Sequence, residues 1–334
     1  MSTPKGQHII PRLHLQHFAG DEGRVFTYDA VAGKVWAAVP VETAVETHFY
    51  SAQLADGSID TRIEAHLGRI ETAAAPVYMS LLSGNIPGQT QQRADFAHFL
   101  GLIYSRTAAM RRVAGELYGK MLQAQMHSTA SHPEAFEAVV KSQETELGRQ
   151  MTPKEREAAR EGMLDPSKFE FVIPKGVTFR VLPLADKLAP MFFHMNWYLI
   201  EAAEWYFISS DNPLVREVRR DTAHPIYGDR GFLNETVEAT FPLSPHKLLL
   251  LAWSDAPRRA SVPLDSVRRA NRARAAHSDR FLYAHLKSAE IEQLAAQFRD
   301  SRPGITIDGA GPKKYGKVNV DSRLRHHPQD GATS

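Results

Sequence analysis

Five polar side chains, widely separated along the chain, have types and settings suited to proton transfer, charge stabilisation or metal binding: His8, Glu71, Arg106, Asp211 and Asn271. Arg106 is the most informative. Phe96, Phe99, Ile103, Met110, Val113 and Leu117 recur at helical spacing, and residue 106 falls in register with them and points inward. A guanidinium cannot shed its charge and needs a carboxylate or phosphate partner there. Arg106 is therefore either half of a buried ion pair that fixes helix packing or a clamp on substrate. Glu64 and Glu71 share one side of a second helix, bordering the stripe of Ile63, Leu67 and Ile70. Glu64 reads as an exposed acidic edge, whereas Glu71 can face Arg106 or a metal ion.

Asp211 ends the apolar run Tyr206-Phe207-Ile208 and belongs to four consecutive polar residues, Ser209-Ser210-Asp211-Asn212, closed by Pro213. A carboxylate at the end of a buried strand holds a base or a metal rigidly. An Asx turn is the competing reading. Asp211 and Glu71 are thus the candidate metal ligands, with a divalent cation as the implied cofactor. His8 suits an orienting or acid–base role better than ligation, because His-x-x-Pro is not a ligand spacing. Asn271 faces inward on a late helix whose exposed side carries Arg268, Arg269 and Arg272, a basic ridge suited to phosphate. A solvated helix face explains that ridge about as well.

Composition narrows the chemistry. The 334 residues contain no cysteine, which excludes thiolate nucleophiles, thiolate zinc sites, iron–sulfur clusters and disulfides. There is no Gly-x-Gly-x-x-Gly after a strand, no phosphate loop, no Gly-x-Ser-x-Gly elbow and no His-Glu-x-x-His helix. Charge is uneven: from Arg258 onward 15 Lys and Arg face 8 Asp and Glu, a net of +7, while the preceding residues carry 25 against 30, a net of −5. That asymmetry admits nucleic acid or a phosphorylated ligand as partner. No apolar run is long enough for a membrane span, and residues 1–20 lack a signal-peptide core. The expected compartment is the cytoplasm.

The elements that must position these residues follow from periodicity. Residues 25–29 and 34–39 read as a hairpin with its turn at Gly33, and Ile63 to Leu81 as an amphipathic helix ending at Gly84. A long helix is expected over about 89–127 and a helical insertion over about 132–163. A second hairpin is expected around Pro174-Lys175-Gly176, and a helix over about 184–203. Residues 205–210 read as a buried strand, and 236–242 with 246–253 as a strand pair. A last long helix is expected over about 264–285 and a shorter one to 298. The expected fold is α+β and predominantly helical, with short antiparallel strands on a helical core. It forms a single domain over 1–300, followed by a flexible basic tail, 301–334, that includes Lys313, Lys314 and Lys317.

The opening His8-Ile9-Ile10-Pro11, the Tyr28-Asp29 pair, Phe49-Tyr50, the Ile70-Glu71 helix, the Arg106 helix, Phe207 through Pro213 and the Asn271 helix together resemble a large, mainly bacterial family, the domain of unknown function 4238. The resemblance spans about residues 7–286 and implies a shared fold; it supplies no activity. From the residues themselves the expectation is that His8, Glu71, Arg106, Asp211 and Asn271 converge on one pocket. The chemistry expected there is divalent-metal-dependent hydrolysis of a phosphate-containing substrate or nucleic acid. The alternative is a non-enzymatic binding protein with a structural polar core and a basic C-terminal region that contacts its partner.

Overall fold

The computed structural model describes residues 6–47, 52–53, 59–60, 62–165, 181–218, 231–255 and 259–300. Two compact units are present: Met1–Arg111 with Phe179–Ser334, and Arg112–Thr178. The insertion read at 132–163 falls within the second. The expected hairpin around Pro174-Lys175-Gly176 and the tail from 301 lie outside the described residues.

The first unit begins with β1 (Gly6–His8), α1 (Arg12–Leu15), the hairpin β2 (Val25–Asp29) and β3 (Lys34–Ala38), β4 (Val45–Thr47), and the short β5 (Ala52–Gln53) and β6 (Ile59–Asp60). The hairpin forms as expected: Gly33 takes the left-handed conformation, φ +64°, and Asp29 accepts the amides of Val31 and Ala32 in an Asx turn. Next come α2 (Arg62–Leu82), α3 (Gln91–Ser105) and the start of α4 (Ala108–Ser131). The second unit holds the rest of α4, α5 (Pro133–Leu147) and α6 (Pro153–Leu164), the last opened by a Thr152–Glu155 capping box. The first unit resumes with α7 (Leu184–His194), β7 (Asn196–Ala202), β8 (Ser209–Ser210), β9 (Val215–Glu217), β10 (Glu238–Ser244), β11 (Lys247–Ala252), β12 (Arg259–Val262), α8 (Leu264–His277), β13 (Phe281–Ala284) and α9 (Ala289–Gln297).

Helix predominates, and among the described residues the strand pairs are antiparallel except β12 with β7. A five-stranded sheet runs β12-β7-β11-β10-β9, and a four-stranded sheet runs β3-β2-β13-β8. The main core places α2, α3 and α7 against the larger sheet through residues such as Leu81, Phe96, Phe99, Phe192, Trp197 and Phe241. Gly101 lets α3 approach α7, because a Cβ there would lie 2.7 Å from the Ala185 carbonyl oxygen. A second core joins the smaller sheet to α8 and α9 through Tyr28, Ile208, Ala275, Leu282 and Ile291.

Several boundaries differ from the sequence expectation. The helix over 89–127 breaks after Ser105: Arg106 is the C-cap of α3, and the Thr107 hydroxyl accepts the Met110 amide at 3.1 Å to start α4. Beyond the break the apolar series is not core, since Leu117 and Met121 are exposed. The helix over 184–203 stops at His194. Trp197 to Ile200 instead pair with β11 and β12, where aromatic and β-branched side chains suit a central strand. The helix over 264–285 stops at His277, and Phe281 to Ala284 become the strand between β2 and β8. Of the run 205–210, only Ser209 and Ser210 pair as a strand.

Candidate functional site

Of the five residues expected to converge, His8, Glu71 and Arg106 share hydrogen bonds with one another, while Asp211 and Asn271 have partners of their own. Arg106, 2% exposed, donates to Glu71 Oε1 at 2.6 Å and to the His8 carbonyl oxygen. Its placement at the C-cap of α3 aims the guanidinium across to α2 and β1. His8 Nε2 donates to the Pro40 carbonyl at 3.3 Å, so its Nδ1 carries the lone pair. Burial pulls this imidazole below its ordinary value, against the raising effects of the Pro40 carbonyl and of Glu71. The neighbouring Gln7 amide donates to Glu64 at 3.1 Å.

Asp211 has different partners. Its carboxylate accepts the backbone amides of Asp279 at 2.8 Å, Arg280 at 2.7 Å and Phe281 at 2.9 Å, and so ties β8 to the start of β13. Burial pushes the carboxyl up to about 7, although the three amide donors act in the other direction. The rest of the polar run is also engaged. Ser209 bonds His14, Ser210 Oγ accepts the Asn212 amide, Asn212 donates to the His277 carbonyl, and the Pro213 carbonyl accepts from Arg274. Four consecutive polar residues beside an apolar run, read from sequence as more than a turn requires, tie the chain to α1 through Ser209, to the start of β13 through Asp211 and to the end of α8 through Asn212. Asp211 and Glu71 share no partner. Among the described residues no group of three or more His, Asp or Glu side chains is arranged to hold a metal ion.

Asn271 is the link to the remaining candidates. From α8 its Oδ1 accepts the Ile208 amide at 3.0 Å and its Nδ2 donates to the Tyr206 carbonyl at 2.9 Å, so it splints the chain entering β8. The same residue lines a groove between α8 and α9 with about 480 Å³ of space, together with Arg268, Arg272, Glu290 and Trp205. Arg268 and Arg272 lie one turn apart on α8 and share its groove-facing side. Arg269 points elsewhere, into the field that acts on Glu217. Arg268 pairs with Glu290 at 3.2 Å, both half exposed. Gln293 and Gln297, one turn apart on α9, supply neutral amides to the same groove. Trp205 is stacked on Tyr206 with ring centroids 4.8 Å apart and 16° between planes.

Sequence reasoning missed Trp205, Glu290, Gln293 and Gln297. The three α9 positions do carry a signal, a spacing of three and four residues on a helix that also turns Ile291 and Leu294 toward the groove. Trp205 carried none, because an aromatic residue before a buried run reads as part of the strand.

A family model described as Protein of unknown function (DUF4238) matches residues 6–288. No curated protein matches the chain, and no solved structure matches it.

Proposed function

We propose, for a chain that belongs to the DUF4238 family, that the groove between α8 and α9 binds a phosphate-bearing ligand through Arg268 and Arg272. The observation that carries this reading is the pair of guanidinium groups one turn apart beside a groove of about 480 Å³, within the range of about 300–1,000 Å³ usual for ligand sites. Arg presents planar, permanently charged donors that match phosphate oxygens. Glu290 balances Arg268 in the free protein, and an exposed pair of this kind costs little to break. Arg272 has no carboxylate at ion-pair distance among the described residues. The binding role is favoured over metal-dependent hydrolysis because Asp211 is 4% exposed, its carboxylate already accepts three backbone amides, and among the described residues no group of three His, Asp or Glu side chains stands ready for a cation.

The test is calorimetric titration of the full chain with pyrophosphate, and with a single-stranded oligonucleotide, at low and moderate salt. Affinity should fall with salt, and an Arg268→Gln, Arg272→Gln double variant should weaken binding at least about tenfold. Arg269→Gln should change it little. Binding that is absent at low salt, or unaffected in the double variant, removes the groove as the phosphate site.

A further inference from the structure

We infer that the ligand of the α8–α9 groove is a nucleoside phosphate whose base stacks on Trp205; this rests on the phosphate reading above and names the ligand class. An inorganic anion would satisfy Arg268 and Arg272 but leave most of the groove unused, including the apolar surface of Trp205, Ile291 and Leu294. What remains to be recognised is a flat, polar-edged group of limited size. The groove offers it two kinds of surface.

The first is a braced aromatic ring. One face of the Trp205 indole is covered by the Tyr206 ring, and Tyr206 in turn meets the edge of His285 at 4.8 Å and 85°. The backbone on either side of Phe207 is clamped by Asn271, through the Tyr206 carbonyl and the Ile208 amide. Trp205 also packs against the apolar cluster of Phe207, Leu248 and Val267, which fixes the ring while part of it lines the groove, a preorganised platform for a second ring. Every base has a π-face, and stacking on such a platform strengthens binding roughly tenfold or more.

The second surface is the α9 wall. Gln293 and Gln297 each present a donor and an acceptor, the combination that base edges also present. Neither carries charge, so phosphate is directed to the α8 wall, where both arginines stand. Arginine on one wall, amides on the other and an aromatic ring at the groove together match the three parts of a nucleotide better than any one of them matches a bare anion.

The experiment compares adenosine 5′-monophosphate, uridine 5′-monophosphate, ribose 5-phosphate, inorganic phosphate and an eight-residue oligothymidylate against the full chain, by calorimetry and tryptophan fluorescence. The nucleotides should bind at least about tenfold tighter than ribose 5-phosphate. They should also quench a component of emission that is missing in a Trp205→Leu variant. That variant should lose most of the preference for nucleotide over ribose 5-phosphate, keeping only what Gln293 and Gln297 supply, while Trp205→Phe, which keeps a ring and controls for folding, should retain the preference. An oligothymidylate that binds with the same dependence on residue 205 supports the same nucleotide chemistry drawn from a strand. Equal affinities for nucleotide and ribose 5-phosphate in the wild type, or a preference undiminished by Trp205→Leu, overturn the base-stacking inference and leave the phosphate site standing. Absence of binding by every phosphate compound at low salt overturns both.

Discussion

Ser209 Oγ lies 2.7 Å from His14 Nε2, and neither residue is exposed to solvent. Counting donors assigns the tautomer. The Tyr78 hydroxyl donates its one proton to the Leu243 carbonyl at 2.8 Å, so it accepts from His14 Nδ1 at 3.0 Å, and Nε2 accepts from Ser209. The chain of bonds joins α1, α2, β8 and β10. A nucleophile, a base and an orienting group are all present, but the complete burial of all three side chains gives the arrangement a structural role.

Stability should fall in mild acid because of His14. Burial holds its pKa well below the ordinary imidazole value of about 6.5, with His17 and Arg274 acting in the same direction. The unfolded chain then binds a proton that the fold refuses, so the contribution is complete above about 6.5 and is lost as pH drops below it. His8, His17 and His285 are shifted downward too, all by burial first, and share the effect. Thermal melts between pH 7.5 and 5.5 should show a shallower decline for His14→Gln than for the wild type. Identical slopes would mean that His14 is not neutral in the fold.

Asp211 should act with the opposite sign. Burial pushes its carboxyl up to about 7 from the ordinary carboxylate value of 3.8, so its contribution is full below about 4 and is lost as pH rises through 7. Asp211→Asn should abolish that component of the pH dependence in urea melts. Asp211→Ala leaves three partly buried amides without their acceptor, at about 1 kcal/mol each once water is allowed for, and should cost about 2–3 kcal/mol. A loss below about 1 kcal/mol in the alanine variant would show that the latch to Asp279, Arg280 and Phe281 contributes little.

Breaking the Arg106 pair should destabilise without abolishing folding. Removing one partner of a fully buried pair costs about 3–5 kcal/mol. Glu71 retains 24% exposure, so water softens the loss and Glu71→Gln should cost about 2 kcal/mol. Arg106→Lys should not be benign, since a single ammonium cannot reproduce the fork that serves both Glu71 and the His8 carbonyl. Chemical denaturation of the two single variants and the double variant gives the coupling, which should be positive and exceed about 1 kcal/mol.

Glu290→Gln should tighten phosphate binding. The substitution frees Arg268 from its 3.2 Å partner and removes a negative charge from the groove. A severalfold gain in affinity at low salt, shrinking as salt rises, is the expected result. A loss of affinity would indicate that Glu290 orients Arg268 rather than competing for it.

What sequence determined by itself was local. Aromatic and β-branched residues flanking the Gly33 turn determined the β2–β3 hairpin, the spacing of Leu67, Ile70, Ala74, Val77 and Leu81 determined α2, and register turned Asn271 inward, whereas Arg106 is buried at the C-cap where α3 breaks. Only the tertiary structure decided where two helices end. Trp197 to Ile200 and Phe281 to Tyr283 are short apolar runs that serve a buried helix and a buried strand equally well. Pairing with β11 and β12 in one case, and with β2 and β8 in the other, selected strand. The same holds for the polar groups: residue type and register say that Arg106, Asp211 and Asn271 need partners, because buried polar atoms do. Which partners they find depends on atoms far away in the chain. Arg106 meets Glu71 and the His8 carbonyl, Asp211 the amides of 279–281, and Asn271 the backbone on either side of Phe207. Periodicity specifies a face, and only packing in three dimensions specifies what that face meets.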